Sequence, residues 1–347
     1  MKFFLILLSG LLLATASQAE PAKAKAGPEL LPAFSTASSL KENFSCYGGP
    51  FASYDSWLAM LSKKPKFNAE QFAEIFPKAK FEQRQQQIDC RIFVYESDGH
   101  LVEGIMLNPD KNASADNKLP VVIYNRGGNA EFGKWNFGAI QMALMPMAEQ
   151  GYVVIASQYR GAAGFPSGIK AQPLLDQFGG ADVNDIKNLL PIIDGMANAD
   201  NQRIAMKGAS RGGMMSYLAA RDMPQLKALI VEAGVTDLEL QIPQRPDMEK
   251  NIFSRYMPNY ATEKPALLKA RSVMHWLDKL PAELPILLVH GDKDWRVDVA
   301  QSQMLAKALA EKGHPHKLVV YPGADHGMQP NRAEADAETA AWLKQYL

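Results

Sequence analysis

Two hydrophobic periods divide the chain. Between residues 51 and 87 apolar positions recur at helical spacing, with Phe72, Ile75 and Phe76 following Asn68, a residue suited to capping a helix N-terminus. Helices are expected over 51–64 and 68–87. From Cys90 the period changes. Arg91–Tyr95 and Leu101–Leu107 flank Asp98-Gly99, the signature of a β-hairpin. Short apolar runs then alternate with helical stretches. Val121–Tyr124 precedes a helix near 136–149, Tyr152–Ile155 one near 181–196, and Ile204–Met206 one near 211–222. Ala228–Val231 leads into a long excursion, 236–283. Ile286–Val289 precedes a helix near 299–312, and Leu318–Tyr321 precedes the last, 331–346.

A hairpin followed by repeated strand–helix units predicts an α/β fold, with a mostly parallel eight-stranded sheet covered by helices on both faces. The main domain is expected over 90–347, with 236–283 as a lid-like insertion. Residues 20–89 form a leader and short helical arm. Residues 20–40, rich in Ala, Lys, Pro and Ser, read as mobile. An arm of this length has no room for a propeller, which needs at least four blades of roughly 40–45 residues each.

The first nineteen residues differ from the rest. Lys2, the apolar run Phe3–Leu13 and the small residues up to Ala19 read as a secretory signal peptide. The run is too short to span a bilayer stably, so no membrane insertion is expected after cleavage. An exported protein, periplasmic or extracellular, is the expectation. Export gives weight to the two cysteines, Cys46 and Cys90, because an oxidising compartment favours a disulfide over two separate buried thiols. Their spacing does not suit a metal site. No metal or other cofactor is expected. Lys plus Arg and Asp plus Glu are both 37, a balance that argues against a nucleic-acid partner, which requires a basic face.

The chemistry sits at strand ends. Gly208-Ala209-Ser210-Arg211-Gly212 has the form G-x-S-x-G, between the strand 203–207 and a helix starting near Gly212. A sharp strand-to-helix turn lifts the Ser210 hydroxyl clear of the sheet, and the helix N-terminus favours an oxyanion there. An alcohol needs a base to become nucleophilic. Of the six histidines, His314 and His316 precede the last strand and lie at the wrong edge. His326 follows it, on the edge where open parallel sheets hold their sites. His290 ends a strand and reads as a structural hydrogen-bonder. His100, beside the hairpin turn, and His275, in the excursion, read as solvent or packing residues. Asp294, inside the turn after the strand ending near His290, is the expected acid, with Asp292 in reserve. The order Ser210, Asp294, His326 is that of an α/β-hydrolase.

These motifs, with His290-Gly291-Asp292-Lys293-Asp294-Trp295-Arg296-Val297 and Asp325-His326-Gly327, resemble the catalytic domain of the prolyl oligopeptidase family of serine peptidases. Arg160-Gly161, Asp182 and Asp185 resemble it too. The resemblance covers roughly 90–347 and implies an α/β-hydrolase that cleaves peptides or, in related branches, esters. The N-terminal propeller of many such peptidases is absent. The loop after the strand at 121–124 has Arg126 where the family commonly has Tyr or His before paired glycines. Backbone N–H groups of this loop, at Gly127, and of Arg211 are the expected oxyanion hole. The Arg126 side chain either adds a charged donor or pairs with a carboxylate.

The expected activity is therefore a Ser-His-Asp hydrolase acting through an acyl-enzyme on a small peptide. The alternative is an ester substrate with the same residues. A hydrolase-like binding protein without turnover is a remote third. In the excursion, Tyr256, Tyr260 and Trp276 are candidate substrate-binding residues, against a plain packed insertion. The sequence carries no statement of oligomeric state.

Overall fold

The computed structural model describes residues 29–111 and 116–347; the expected signal peptide lies outside them. Nine strands form one sheet: β1 Leu40–Ser45, β2 Asp89–Ser97, β3 His100–Asn108, β4 Leu119–Asn125, β5 Val153–Ser157, β6 Ala199–Ala209, β7 Leu226–Glu232, β8 Ile286–Gly291 and β9 His316–Tyr321. Their order is β1-β2-β3-β5-β4-β6-β7-β8-β9. β1, β2, β3 and β5 pair antiparallel in succession, and every pair from β5 through β9 is parallel. The mostly parallel α/β architecture is as expected, with one strand more than the eight read from the sequence. β1 was missed because Lys41-Glu42-Asn43 interrupts its apolar residues; it is an edge strand and needs only one buried face.

The central strands are buried on both faces, as parallel strands covered by helices must be. Val121, Ile123, Val153 and Ile155 face one core, and Val122, Tyr124 and Val154 the other. The N-terminal arm builds on the second. Trp57 and Phe72 pack at 4.8 Å between ring centroids, and Phe51 stacks on Phe137 at 4.3 Å. Asn68 caps its helix as expected, accepting from Gln71 N–H at 3.0 Å. The single helix expected over 68–87 is two, Ala69–Ile75 and Lys78–Gln87, because Pro77 cannot continue the first. The leader differs from expectation as well. Leu31 N–H donates to Asn43 O, and the Ser35 hydroxyl to Ile192 O, so residues from 29 onward are tied to the body.

Cys46 and Cys90 form a disulfide, with Cα atoms 5.3 Å apart, which fastens the chain after β1 to β2. It closes a loop with a sequence separation of 44. Restricting the unfolded chain to that extent is worth about 4 kcal/mol. The double variant Cys46→Ser/Cys90→Ser should therefore unfold several degrees lower in a thermal melt. The wild type should lose the same amount on reduction; equal melts with and without reductant would contradict this.

The excursion packs as part of the core rather than as a separate lid. Leu238, Phe253, Met257, Leu268 and Leu277 join the hydrophobic cluster on one face of the sheet. Phe253 reaches Phe178 at 5.3 Å, in the loop that follows β5.

Candidate active site

Ser210 stands between β6 and the helix Arg211–Ala220 with φ 57° and ψ −125°. This conformation is costly for a residue with a Cβ, by about 1–3 kcal/mol, and marks a position where the surroundings impose the backbone. They do so at both ends. Ser210 N–H donates to Glu232 O at the end of β7, and Gly213 N–H to Ser210 O. A Cβ on Gly212 would lie 2.1 Å from Asn125 O, so only glycine lets the helix start so close to β4. A Cβ on Gly127 would lie 3.2 Å from that of Ser210, which puts the loop after β4 directly against the hydroxyl. Arg211, the first helical residue, has no intrahelical acceptor for its N–H.

Asp294 and His326 are in contact. His326 Nδ1 lies 2.7 Å from Asp294 Oδ2, while Asp294 Oδ1 accepts from the N–H groups of Arg296 and Val297. His290, fully buried, completes the carboxylate. Its Nε2 donates to Val297 O at 2.9 Å and lies 3.1 Å from Asp294 Oδ2, while its Nδ1 faces the Ser302 hydroxyl at 2.7 Å. Because Val297 O can only accept, the ring carries its proton on Nε2. Burial acts to raise the pKa of Asp294, but the hydrogen bonds from His290 and His326 outweigh it and hold it well below the usual carboxylate range. Asp292 has another task. Exposed, it accepts from Gly323 N–H at 2.7 Å and laces the β8 loop to the β9 loop. A Cβ on Gly291 would lie 2.2 Å from Ala324 O, the same close approach seen from the backbone.

Ser210 and His326 thus sit on the same edge of the sheet, at the ends of β6 and β9, with no hydrogen bond between Ser210 Oγ and the imidazole. Catalytic hydrogen bonds are often open in the unliganded state and tighten on substrate.

The Arg126 side chain departs from both expected roles. The Arg126 guanidinium neither points at an oxyanion nor meets a carboxylate. All its donors go to carbonyls: Gln158 O through Nε and Nη2, Ala130 O through Nη2, and Gly127 O and Phe132 O through Nη1. It braces the loop that lies against Ser210. Burial, with the Arg211 charge nearby, brings its pKa down to about 10, so it stays charged at neutral pH. The Arg211 side chain is clamped by Asp176 through two hydrogen bonds, of 2.8 and 2.7 Å, by Asp182, and by Gly128 O. Asp176 also accepts from Ala130 N–H at 2.7 Å. One carboxylate therefore ties the residue after the serine to the neighbouring loop. Asp176 escaped the sequence reading because it lies in an irregular segment without a motif. Arg160 pairs with Asp185 at 2.7 Å and with Asp98 at 2.8 Å, which fixes the loop after β5.

Beneath the elbow lies a buried ion triad. Glu232 meets Lys207 at 2.7 Å and Arg332 at 2.9 Å. Burial acts to raise the Glu232 pKa, but the two cations overcome this and hold it at about 2. An unfolded Glu titrates near 4.3. The stabilisation is therefore complete above about pH 4.3 and is lost as pH falls toward 2. Glu232→Gln leaves the buried Lys207 ammonium without its counter-ion, while the part-exposed Arg332 keeps Asp336, and should cost about 3 kcal/mol at pH 7. Its urea stability should also fall less steeply than that of the wild type on acidification. An unchanged midpoint at pH 7 would contradict this.

Tyr256, Tyr260 and Trp276 are not brought to the site. All are at most 8% exposed and lie in the core. Tyr260 OH donates to Glu249 Oε1 at 2.9 Å. Trp276 lies under Arg221, beyond the far end of the helix that starts after Ser210, about 15 Å along its axis. The excursion's aromatics face the core because a long insertion must bury apolar surface of its own. A cavity of about 860 Å³ lies instead between the N-terminal arm and the loops after β4 and β5. Tyr47, Phe51, Trp135, Phe137 and Phe165 line it, none of them a triad residue. One group unforeseen in the sequence could hold a cation: Asp237, Glu239 and His275 bring ligand atoms within 4.8 Å of one another. Among the described residues no helix is long and apolar enough to cross a membrane.

Comparison with known proteins places the chain in a family. The prolyl oligopeptidase family (peptidase S9) matches residues 135–347. Dipeptidyl-peptidase 5 of Porphyromonas gingivalis is 29% identical over 267 residues, 72% of this chain and 36% of that protein. The uncharacterized peptidase YtmA of Bacillus subtilis is 28% identical over 272 residues, 78% of this chain and 99% of that protein. The chain thus matches about a third of the length of the first relative and nearly all of the second. Among solved structures, the acylaminoacyl peptidase of Pyrococcus horikoshii superposes with a TM-score of 0.62 at 21% identity. It covers 75% of this chain and 42% of that one, a likeness of fold. Matched over most of its length, and with the sheet order and strand-end loops described above, the chain belongs to the prolyl oligopeptidase family of peptidases.

Proposed function

We propose that the protein is a serine hydrolase of small peptides. Ser210 Oγ attacks the scissile carbonyl carbon, and His326 Nε2 takes the hydroxyl proton. The N–H groups of Arg211 and Gly127 receive the oxyanion. Collapse of the tetrahedral intermediate expels the amine, which takes its proton from His326. Water, activated by the same imidazole, then releases the acyl group. Asp294 stays ionised throughout and holds the ring with Nε2 turned away from the carboxylate.

The observation that carries this reading is the 2.7 Å contact between His326 Nδ1 and an Asp294 carboxylate whose other acceptor sites are all filled. Its chemistry is that of an imidazole held in one tautomer and ready to become charged. The disulfide supports an oxidising compartment, and with it export.

A second reading, ester hydrolysis, has one observation in its favour. With the Arg126 side chain committed to carbonyls, the oxyanion hole has backbone donors alone. An alcohol leaves more readily than an amine and demands less of the hole. The deciding experiment assays the purified protein side by side on a proline-anilide peptide and a short-chain aryl ester. Peptide hydrolysis predicts kcat/KM for the anilide at least comparable with that for the ester. Turnover of the ester alone would overturn the peptidase reading in favour of the esterase.

A further inference from the structure

Arg211 brings more to the site than its backbone N–H. Its guanidinium, buried with the rest of the residue, reaches the loop after β4 and donates to Gly128 O at 2.9 Å. It also meets both oxygens of Asp176, a fully buried carboxylate in the segment after β5. Asp176 Oδ2 accepts in addition from Ala130 N–H at 2.7 Å, and Oδ1 from Phe178 N–H at 2.9 Å. Both of those residues hold a left-handed backbone that side chains rarely adopt, Ala130 at φ 42° and Phe178 at φ 48°. Such conformations persist only where the surroundings impose them, and here one carboxylate fastens both. Burial acts to raise the pKa of Asp176, but the Arg211 charge outweighs it and keeps the carboxylate ionised.

Asp176 stands where two segments must keep register. Of the two N–H groups proposed to receive the oxyanion, one opens the helix Arg211–Ala220, and the other, that of Gly127, lies in an irregular loop. The Arg126 guanidinium braces that loop only against Gln158 and against the loop's own carbonyls. The pair of Asp176 and Arg211 joins the loop to the helix instead, directly at Gly128 O and through the carboxylate at Ala130 N–H. Asp182 offers a contrast. It meets the same guanidinium, but its other hydrogen bonds come from the N–H groups of Gly179 and Gly180, and among the described residues none comes from the loop after β4.

We infer that Asp176 is a positioning residue for the reaction: through Arg211 and Ala130 it sets the separation of the two N–H groups that receive the oxyanion. This rests on the hydrolase reading above. A hole of fixed width favours the transition state, where charge on the oxygen develops, over the bound substrate. Asp176 therefore acts on kcat rather than on KM.

The test compares Asp176→Asn with Asp182→Asn in the full chain. Each removes one charge from the same guanidinium and leaves it the other carboxylate, so each costs stability. Only the first opens the bridge, because the amide NH2 must face Arg211 and one of the two N–H groups that Asp176 accepts. We expect Asp176→Asn to lower kcat by about 10²-fold and to change KM by less than about threefold. A peptide aldehyde reads the hole directly: Ser210 Oγ adds to the aldehyde carbon, the hydroxyl proton passes to His326, and the carbonyl oxygen becomes the oxyanion. Its affinity should fall by the same factor as kcat, while that of the matching peptide alcohol, which forms no adduct, should stay. Asp182→Asn should lose less than about tenfold in kcat and in aldehyde affinity. Arg211→Lys keeps a charge between the two acids without the planar fork, and should show the signature of Asp176→Asn in weaker form. Equal losses in the two asparagine variants, or a fall in kcat without a fall in aldehyde affinity, would overturn the assignment. If a thermal melt shows that Asp176→Asn does not fold, Arg211→Lys decides, and wild-type kcat and aldehyde affinity in that variant would overturn it equally. If the wild type itself turns over neither peptide nor ester and escapes labelling by a fluorophosphonate, the hydrolase reading falls, a result distinct from an active wild type with an indifferent Asp176→Asn.

Discussion

Asp294→Asn is expected to lower kcat/KM by about 10⁴-fold with little change in KM. The carboxylate receives His326 Nδ1 at 2.7 Å and is itself saturated by His290 and two backbone N–H groups. An amide in its place can still accept at one atom. The other becomes a donor facing either the His326 and His290 nitrogens or the Arg296 and Val297 N–H groups. The imidazole then loses both the fixed tautomer and the charge that stabilises it on protonation. Asp292→Asn is the internal control. Asp292 touches no histidine and accepts only from Gly323 N–H, so its loss should change turnover by less than tenfold. Steady-state kinetics on the better substrate class decide the matter. A large loss in Asp292→Asn and a small one in Asp294→Asn would reassign the acid.

The second large effect is expected at the elbow. Ser210→Ala should reduce turnover by about 10⁴-fold or more, because alanine removes the attacking oxygen itself. The variant should fold. Alanine at φ 57° is no more strained than serine there, and the Ser210 hydroxyl makes no hydrogen bond that the fold would lose. A thermal melt close to that of the wild type, together with lost turnover, separates the chemical effect from a structural one. Retained turnover would place the nucleophile elsewhere.

Much of this arrangement was legible in the sequence because strand ends are legible. The apolar runs at 204–206, 286–289 and 318–321 locate the edge of a parallel sheet, and residues just beyond such runs must share that edge. This reasoning selects Ser210, Asp294 and His326 from many candidates of the same type, and discards His314 and His316. The disulfide followed from compartment rather than from geometry. What was not legible depends on packing between segments distant in the chain. β1 is polar because one of its edges is free. Arg126 read as a potential donor to substrate, since nothing in Tyr124-Asn125-Arg126-Gly127-Gly128 reveals that carbonyls from its own loop and from Gln158 surround the guanidinium. Asp176 is 35 residues from Arg211, and no periodicity links them. The aromatics of the excursion were misread for a general reason: an aromatic side chain in an insertion serves its own core before it serves a substrate.

The most direct test of the account is the site of covalent labelling. Native protein treated with a fluorophosphonate and digested should carry the adduct on the peptide containing Ser210, as read by tandem mass spectrometry, and Ser210→Ala should carry none. An adduct on another residue, or equal labelling of wild type and variant, would contradict the claim that this hydroxyl is the one the fold makes reactive.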